Sequence, residues 1–207
     1  MRTQKELMDY IYKYQRHFYD PSRRLFLFGR DRMLDLVDLE GDEKVLEIGC
    51  GTARNLIRLA KKHPSLRLYG IDASKEMLRT ARKKAKNYEI KLFYTLAEEF
   101  DYDKNTDFDI VFFSYSLSMI PEWKRVLEDA LRNLRKGGAL YIVDFWDQRE
   151  MPAWFGYMLR KWLSLFHVRF KPKLLKYLQL LDFYKEITLE IIPVYKRYSY
   201  IAMVKKV

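Results

Sequence analysis

Apolar residues recur along this chain in two rhythms that take turns. Short, nearly continuous apolar runs at residues 44–48, 66–71, 91–96, 109–113 and 139–145, bounded by turn-forming residues, predict buried strands. Between them, residues 53–62, 75–86 and 122–135 carry apolar side chains at three- and four-residue steps and predict helices. Strand and helix in alternation imply right-handed crossovers, hence a mostly parallel sheet with helices on both faces. Ser74, followed by Glu76 and an apolar-periodic run, is placed to cap a helix, and Lys136-Gly137-Gly138 reads as a helix stop before the next strand.

After Phe145 the rhythm is lost. Residues 149–181 read as a basic, aromatic helical insertion. Residues 185–192 and 197–205, on either side of Pro193, predict two strands that pair as an antiparallel hairpin at one sheet edge. Upstream, residues 1–38 predict a helical segment, broken near Asp20-Pro21, that serves as a lid or substrate segment over a domain of residues 39–207. No repeat, low-complexity tract or Pro/Gly/Ser-rich linker divides the chain, so its 207 residues are expected to share one core.

Composition narrows the function classes. With 49% hydrophobic and 32% charged residues the balance is that of an ordinary folded domain. A single cysteine, Cys50, rules out an internal disulfide and suits a reducing, cytoplasmic compartment. His17, His63 and His167 are scattered, and no metal site is expected from them. The opening MRTQKELMDY lacks the apolar core of a signal peptide, and no run reaches the roughly 18 apolar residues of a spanning helix. Any membrane contact is therefore expected from the side. The net charge of +11 is concentrated in residues 149–207, which hold 12 Lys/Arg against 4 Asp/Glu. That excess either solvates a face or meets an anionic partner.

The chemistry gathers at residues 45–55, VLEIGCGTARN, a strand that breaks on Gly49 and Gly51 before a helix. In open parallel sheets ligands bind beyond the carboxyl ends of the strands, where glycines let them approach the backbone. A dinucleotide fingerprint would add a third glycine at position 54, where Arg54 stands. Asp72, 21 residues after Gly51 at the end of the next strand, is spaced to accept hydrogen bonds from ribose hydroxyls. Glu47, just before the turn, would repel a pyrophosphate and favour a cationic ligand. Cys50 and Ala53 are small residues that fit the turn, and Asn55 either touches the ligand or hydrogen-bonds the backbone.

Glu47-x-Gly49-x-Gly51, Gly70-Ile71-Asp72-Ala73-Ser74 with Met77-Leu78, Ala97-Glu98 and Asp107-x-Asp109-Ile110-Val111 together resemble the ordered motifs of class I S-adenosylmethionine-dependent methyltransferases. The resemblance implies an α/β, Rossmann-like single domain with a mostly parallel seven-stranded sheet and a C-terminal antiparallel hairpin. It also implies S-adenosylmethionine as cofactor. Gly49 and Gly51 would lie against its methionine portion and Asp72 on the ribose. Ala73 would flank the adenine, Ala97 and Glu98 its edge, and Ser114 the sulfonium.

The flanks are similar to a subgroup. Residues 14–20 (YQRHFYD), Arg23, residues 27–32 (LFGRDR), 114–121 (SYSLSMIP) and 142–145 (IVDF), with Pro152-x-Trp154-Phe155 and Trp162-Leu163-x-x-Phe166-His167-Val168, resemble the diacylglyceryl-homoserine N-methyltransferases of betaine-lipid synthesis. That resemblance implies trimethylation of a lipid-borne amine, with phosphatidylethanolamine or a small metabolite as alternative acceptors. It also allows a partner enzyme that makes the homoserine lipid. Tyr19 and Tyr115 are candidates to line the amine site, Tyr19 also touching the cofactor, with Asp144 as a polar partner. Arg23 and Arg30 are candidates for the head-group and cofactor carboxylates through their forked guanidinium groups. Aromatic residues Trp154, Phe155, Trp162 and Phe166 interleave with Arg160, Lys161, Arg169, Lys171, Lys173 and Lys176, a composition that suits either an anionic membrane interface or a core-packed helix. No Asn/Asp-Pro-Pro-aromatic sequence follows the fourth strand, which argues against a nucleic-acid acceptor.

Overall fold

The computed structural model describes residues 27–102, 107–164 and 172–207. Tyr19, Arg23 and the expected helices of residues 1–26 lie outside the described residues, as do Phe166, Arg169, Lys171 and the side chains of Arg160 and Trp162. Seven strands form one sheet: β1 (Lys44–Ile48), β2 (Arg67–Asp72), β3 (Ile90–Tyr94), β4 (Phe108–Ser114), β5 (Leu134–Phe145), β6 (Ile187–Val194) and β7 (Ser199–Lys206). Their order is β3-β2-β1-β4-β5-β7-β6, with β1 to β5 parallel and β7 antiparallel to both neighbours. Six helices complete the described fold: α1 (Arg30–Asp35), α2 (Arg54–Lys62), α3 (Lys75–Lys84), α4 (Trp123–Arg132), α5 (Ala153–Ser164) and α6 (Pro172–Phe183).

Alternation along the central strands splits the core in two. Val45, Ile110, Phe112 and Val143 face a cluster closed by Met33 and Leu34 of α1, Leu56 and Leu59 of α2, and Leu78 of α3. Leu46, Ile48, Val111, Phe113 and Ile142 face the other, closed by Val126 and Leu127 of α4 and Leu174 and Leu178 of α6. This is the two-sided burial that a parallel sheet needs. The expected α/β, Rossmann-like fold with a C-terminal antiparallel pair is the fold observed. Ser74 caps α3 as expected, its hydroxyl oxygen accepting from the Met77 amide at 3.3 Å.

Three local expectations are corrected. The helix expected through Arg135 ends at Arg132, and Leu134 already pairs with Phe108. The two glycines therefore shape a bulge inside β5 rather than a helix stop: Gly137 has φ +77, and a Cβ on Gly138 would sit 3.0 Å from the carbonyl oxygens of Arg135 and Asp109. Pro193 does not make the hairpin turn. It pairs with Tyr200 inside edge strand β6, where a missing N–H is tolerated, and the turn falls at Tyr195, Lys196 and Arg197, all with positive φ. Nor are residues 149–181 a uniform insertion, because Leu174, Leu175, Leu178 and Leu181 of α6 are buried in the second core.

Candidate active site

Neighbouring strands β1 and β4 mark the point where the strand order reverses, so the crevice beyond Ile48 and Ser114 is the topological switch point of the sheet. The turn after β1 is pinned by two amides, Gly49 and Cys50, that donate to the Ile71 carbonyl, each at 2.9 Å. Gly49 (φ +78) and Gly51 (φ +55) hold left-handed backbone, and so does Ala53 (φ 58), the residue before α2. Gly49 has a second reason to be glycine. A Cβ there would lie 2.4 Å from the Ser116 Cβ, because Ser116 leans in to donate its hydroxyl to the Ile48 carbonyl at 2.5 Å.

Two carboxylates flank this turn. Glu47 is 2% exposed, and the Asn55 side chain donates to its Oε1 at 2.7 Å. Asn55 thus braces an acid, a role that neither reading of its sequence position contained. Asp72 accepts from the Gly51 amide at 2.7 Å and from the Ser74 amide at 2.8 Å, tying the turn to the start of α3. The turn is electronegative: burial first, then Asp72 and Glu47, push the Cys50 thiol well above its ordinary pKa.

Around the crevice, Ala73, Ala97 and Glu98 are half-buried, the last two in a 3-10 turn, Ala97–Glu99. Ser114 ends β4 buried at 4% exposure, and its hydroxyl has no hydrogen-bond partner among the described residues. A half-buried acid at the end of β2, an electronegative turn and the buried Ser114 hydroxyl fit a ligand that is hydroxylated and cationic but carries no phosphate. S-adenosylmethionine has that chemistry.

The expected acceptor residues are placed differently. Tyr115 is 2% exposed, with its hydroxyl donating to the Phe28 carbonyl at 2.5 Å. Burial holds its phenol well above its ordinary pKa, so it braces the segment before α1 instead of lining an open amine site. Asp144, also 2% exposed, accepts from the amides of Ser118 at 2.9 Å and Phe145 at 2.8 Å, and so holds the loop after β4 in place.

Arg30 is buried at the start of α1 and, with Arg32 and Arg54, lines a cavity of about 700 Å³. Asp31, Leu27, Phe28, Gly29, Val194 and Tyr195 complete its wall among the described residues. Phe28 stacks near Tyr195, with centroids 4.7 Å apart, and near Tyr198 at 5.2 Å. Tyr195 and Tyr198 were not singled out in the sequence, since only the packing of Phe28 against the β6–β7 turn brings them to this wall. Among the described residues no group of acids, histidines and cysteines could hold a metal ion.

Comparison with known proteins adds likenesses of sequence and fold. Residues 45–138 match the model of a methyltransferase domain, a stretch that begins in β1 and ends inside β5. That stretch is similar to a methyltransferase domain and covers less than half of the chain. Among curated proteins, the demethylmenaquinone methyltransferase of Listeria welshimeri is 30% identical over 137 residues, covering 64% of this chain and 57% of that protein. The chain thus spans little more than half the length of that relative. A SAM-dependent methyltransferase from Aquifex aeolicus superposes with a TM-score of 0.67 at 19% identity, over 94% of this chain and 98% of that one. The plantazolicin methyltransferase BpumL, solved in complex with SAH, gives 0.68 at 17% identity, over 95% and 88%. These two likenesses confirm the methyltransferase fold.

Proposed function

We propose that this chain methylates an amine carried by a glycerolipid, with diacylglyceryl-homoserine as acceptor and its trimethylated betaine as the product. The observation that carries this reading is the cavity lined by Arg30, Arg32 and Arg54 together with Leu27, Phe28, Val194 and Tyr195, in which Arg54 is itself paired with Asp31. A carboxylate head group joined to acyl chains offers the same two chemistries, a forked anion for arginine and apolar surface for the rings.

When bound, S-adenosylmethionine supplies an electrophilic methyl group. In this reading Asp72 takes the ribose hydroxyls, Ala73, Ala97 and Glu98 border the adenine, and Gly49 and Gly51 leave space for the methionine portion. Glu47, braced by Asn55, sets the negative field for the sulfonium, and Ser114 offers its hydroxyl at the same place. Arg30 and its neighbours orient the acceptor. The chain's contribution is alignment and exclusion of water, worth up to about 7–11 kcal/mol in well-oriented systems. The amine arrives neutral, its nitrogen forms the new bond, and a proton leaves before the next transfer. A cytoplasmic enzyme docked on the inner membrane face, beside the enzyme that makes the homoserine lipid, follows from such an acceptor.

A second reading takes its support from the curated relatives named demethylmenaquinone methyltransferase. A demethylmenaquinone-type acceptor would also be a lipid. The purified chain, given cofactor and vesicles that carry diacylglyceryl-homoserine, demethylmenaquinone or phosphatidylethanolamine, separates them by mass spectrometry. Successive methyl additions to the homoserine lipid are expected. Transfer to the quinone alone overturns the amine reading, and transfer to no lipid while S-adenosylhomocysteine binds overturns both.

A further inference from the structure

Helix α5 presents an apolar face to solvent. Trp154, Tyr157 and Met158 are 65%, 63% and 61% exposed, and with exposed Lys161 they fall at the i, i+3, i+4, i+7 spacing of one helix face. The opposite side of the helix is the one that packs: Leu159 is buried in the first core, and Phe155 rests against it and against the Tyr198 ring, 6.4 Å between centroids. Three large exposed side chains in a row are more than the scattered apolar residues a protein surface normally shows.

The position of this face matters. Chain from the carboxyl end of β5 leads into α5, and through Phe155, Tyr198 and Phe28 the helix is joined to the wall of the arginine-lined cavity. Tyr195, 67% exposed, stands at that wall as a further outward-facing ring.

Charge identifies the occupant. Residues 151–181 contain six Lys/Arg and no Asp or Glu, and Lys161, Lys173 and Lys176 among them are exposed. An apolar stripe within a basic, acid-free stretch of chain suits the headgroup region of an anionic bilayer, where rings sit at the acyl boundary and each basic residue adds on the order of 1 kcal/mol. A surface for a second copy or a protein partner would not need the absence of acids over such a length.

We infer that the Trp154, Tyr157, Met158 and Lys161 face of α5 docks this protein on an anionic phospholipid bilayer, with the acceptor cavity opening toward the lipid. The inference deepens the lipid-acceptor reading and rests on it only for the last clause. The test is sedimentation of the full chain with phosphatidylcholine vesicles and with vesicles containing phosphatidylglycerol. It is repeated for the variant Trp154→Ser/Tyr157→Ser/Met158→Ser and for Lys161→Glu, with S-adenosylhomocysteine binding as the check on folding.

The expected result is partition to the anionic vesicles that weakens with salt and falls by about tenfold or more in the triple variant, cofactor binding being unchanged. Lys161→Glu supplies a second readout if the triple variant loses cofactor binding. Equal partition of folded variants, absence of partition in the parent chain, or a parent dimer that the variant abolishes would each overturn it.

Methyl transfer distinguishes this failure from failure of the function. Vesicle binding without transfer to any lipid leaves the docking face standing and removes the acceptor. Transfer that is indifferent to the α5 substitutions does the reverse. A short-chain, monomeric acceptor analogue should be methylated equally by the parent chain and the variants.

Discussion

Glu47 is an acid set in the second-last position of a buried strand, and Asn55, one turn into α2, is the residue that keeps it there. Their pairing gives the sharpest residue-scale prediction. Glu47→Gln removes the charge while keeping the shape, so affinity for cationic S-adenosylmethionine should fall by about tenfold while that for neutral S-adenosylhomocysteine changes little, as read by calorimetry. Equal loss for both ligands would show that Glu47 acts by shape alone. Gly49→Ala forces left-handed backbone on a Cβ that meets Ser116 at 2.4 Å, and should cost about 2 kcal/mol or more of unfolding free energy in urea. At this scale the cofactor motif was readable because glycine and acid spacing is local. The hydrogen bonds of Tyr115 and Asp144 were not legible, because sequence tells which strand end a residue occupies but not which backbone groups its polar atoms meet.

Helix α1 has only six residues, yet it is clasped to α2 by four ion pairs. Asp31 accepts from Arg54 at 2.8 Å and Arg58 at 2.9 Å, and Asp35 from Arg58 at 3.1 Å and Lys62 at 2.7 Å. Arg54, the residue that departs from a dinucleotide fingerprint, is therefore a latch for the segment that walls the arginine-lined cavity. Exposed pairs of this kind contribute about 0.2–1 kcal/mol each, so the clasp positions α1 more than it stabilises the whole fold. The hydrogen bond from Arg54 holds Asp31, and that from Lys62 holds Asp35, below the ordinary value of 3.8. A depressed folded pKa means that the contribution is complete above about pH 5 and is lost as pH falls through the folded values. Cleavage or hydrogen exchange at residues 27–38 should accordingly accelerate below about pH 4, with the global melting temperature responding less. Asp31→Asn/Asp35→Asn should show the fast behaviour already at neutral pH, and an unchanged exchange rate there would refute the clasp. The helices themselves were legible from periodicity. The clasp was not, because it joins a six-residue helix to the outer face of another.

The two-sided core and the parallel order of β1 to β5 followed from alternating strand and helix patterns, since a strand apolar on both faces can only be buried on both. Which strand of the final hairpin meets β5 did not follow, because 185–192 and 197–205 are patterned alike and either could have faced the sheet. The later strand occupies the inner place: Ile201 of β7 is fully buried, whereas Ile191 of edge strand β6 is half-buried. Ile201→Ala should then cost about 2–5 kcal/mol and Ile191→Ala clearly less, measured by urea denaturation, and equal costs would contradict the observed order. The inner place of β7 also sets a timetable for synthesis. Strands β1 to β5 can pair as they leave the ribosome, but β6 has no neighbour other than β7 and must wait, unpaired, for the residues after Tyr198 to emerge at about 5–20 per second. Until then the outer edge of β5 is bare, so the growing chain passes through a stage in which a chaperone or a neighbouring nascent chain can take the place that β7 will fill.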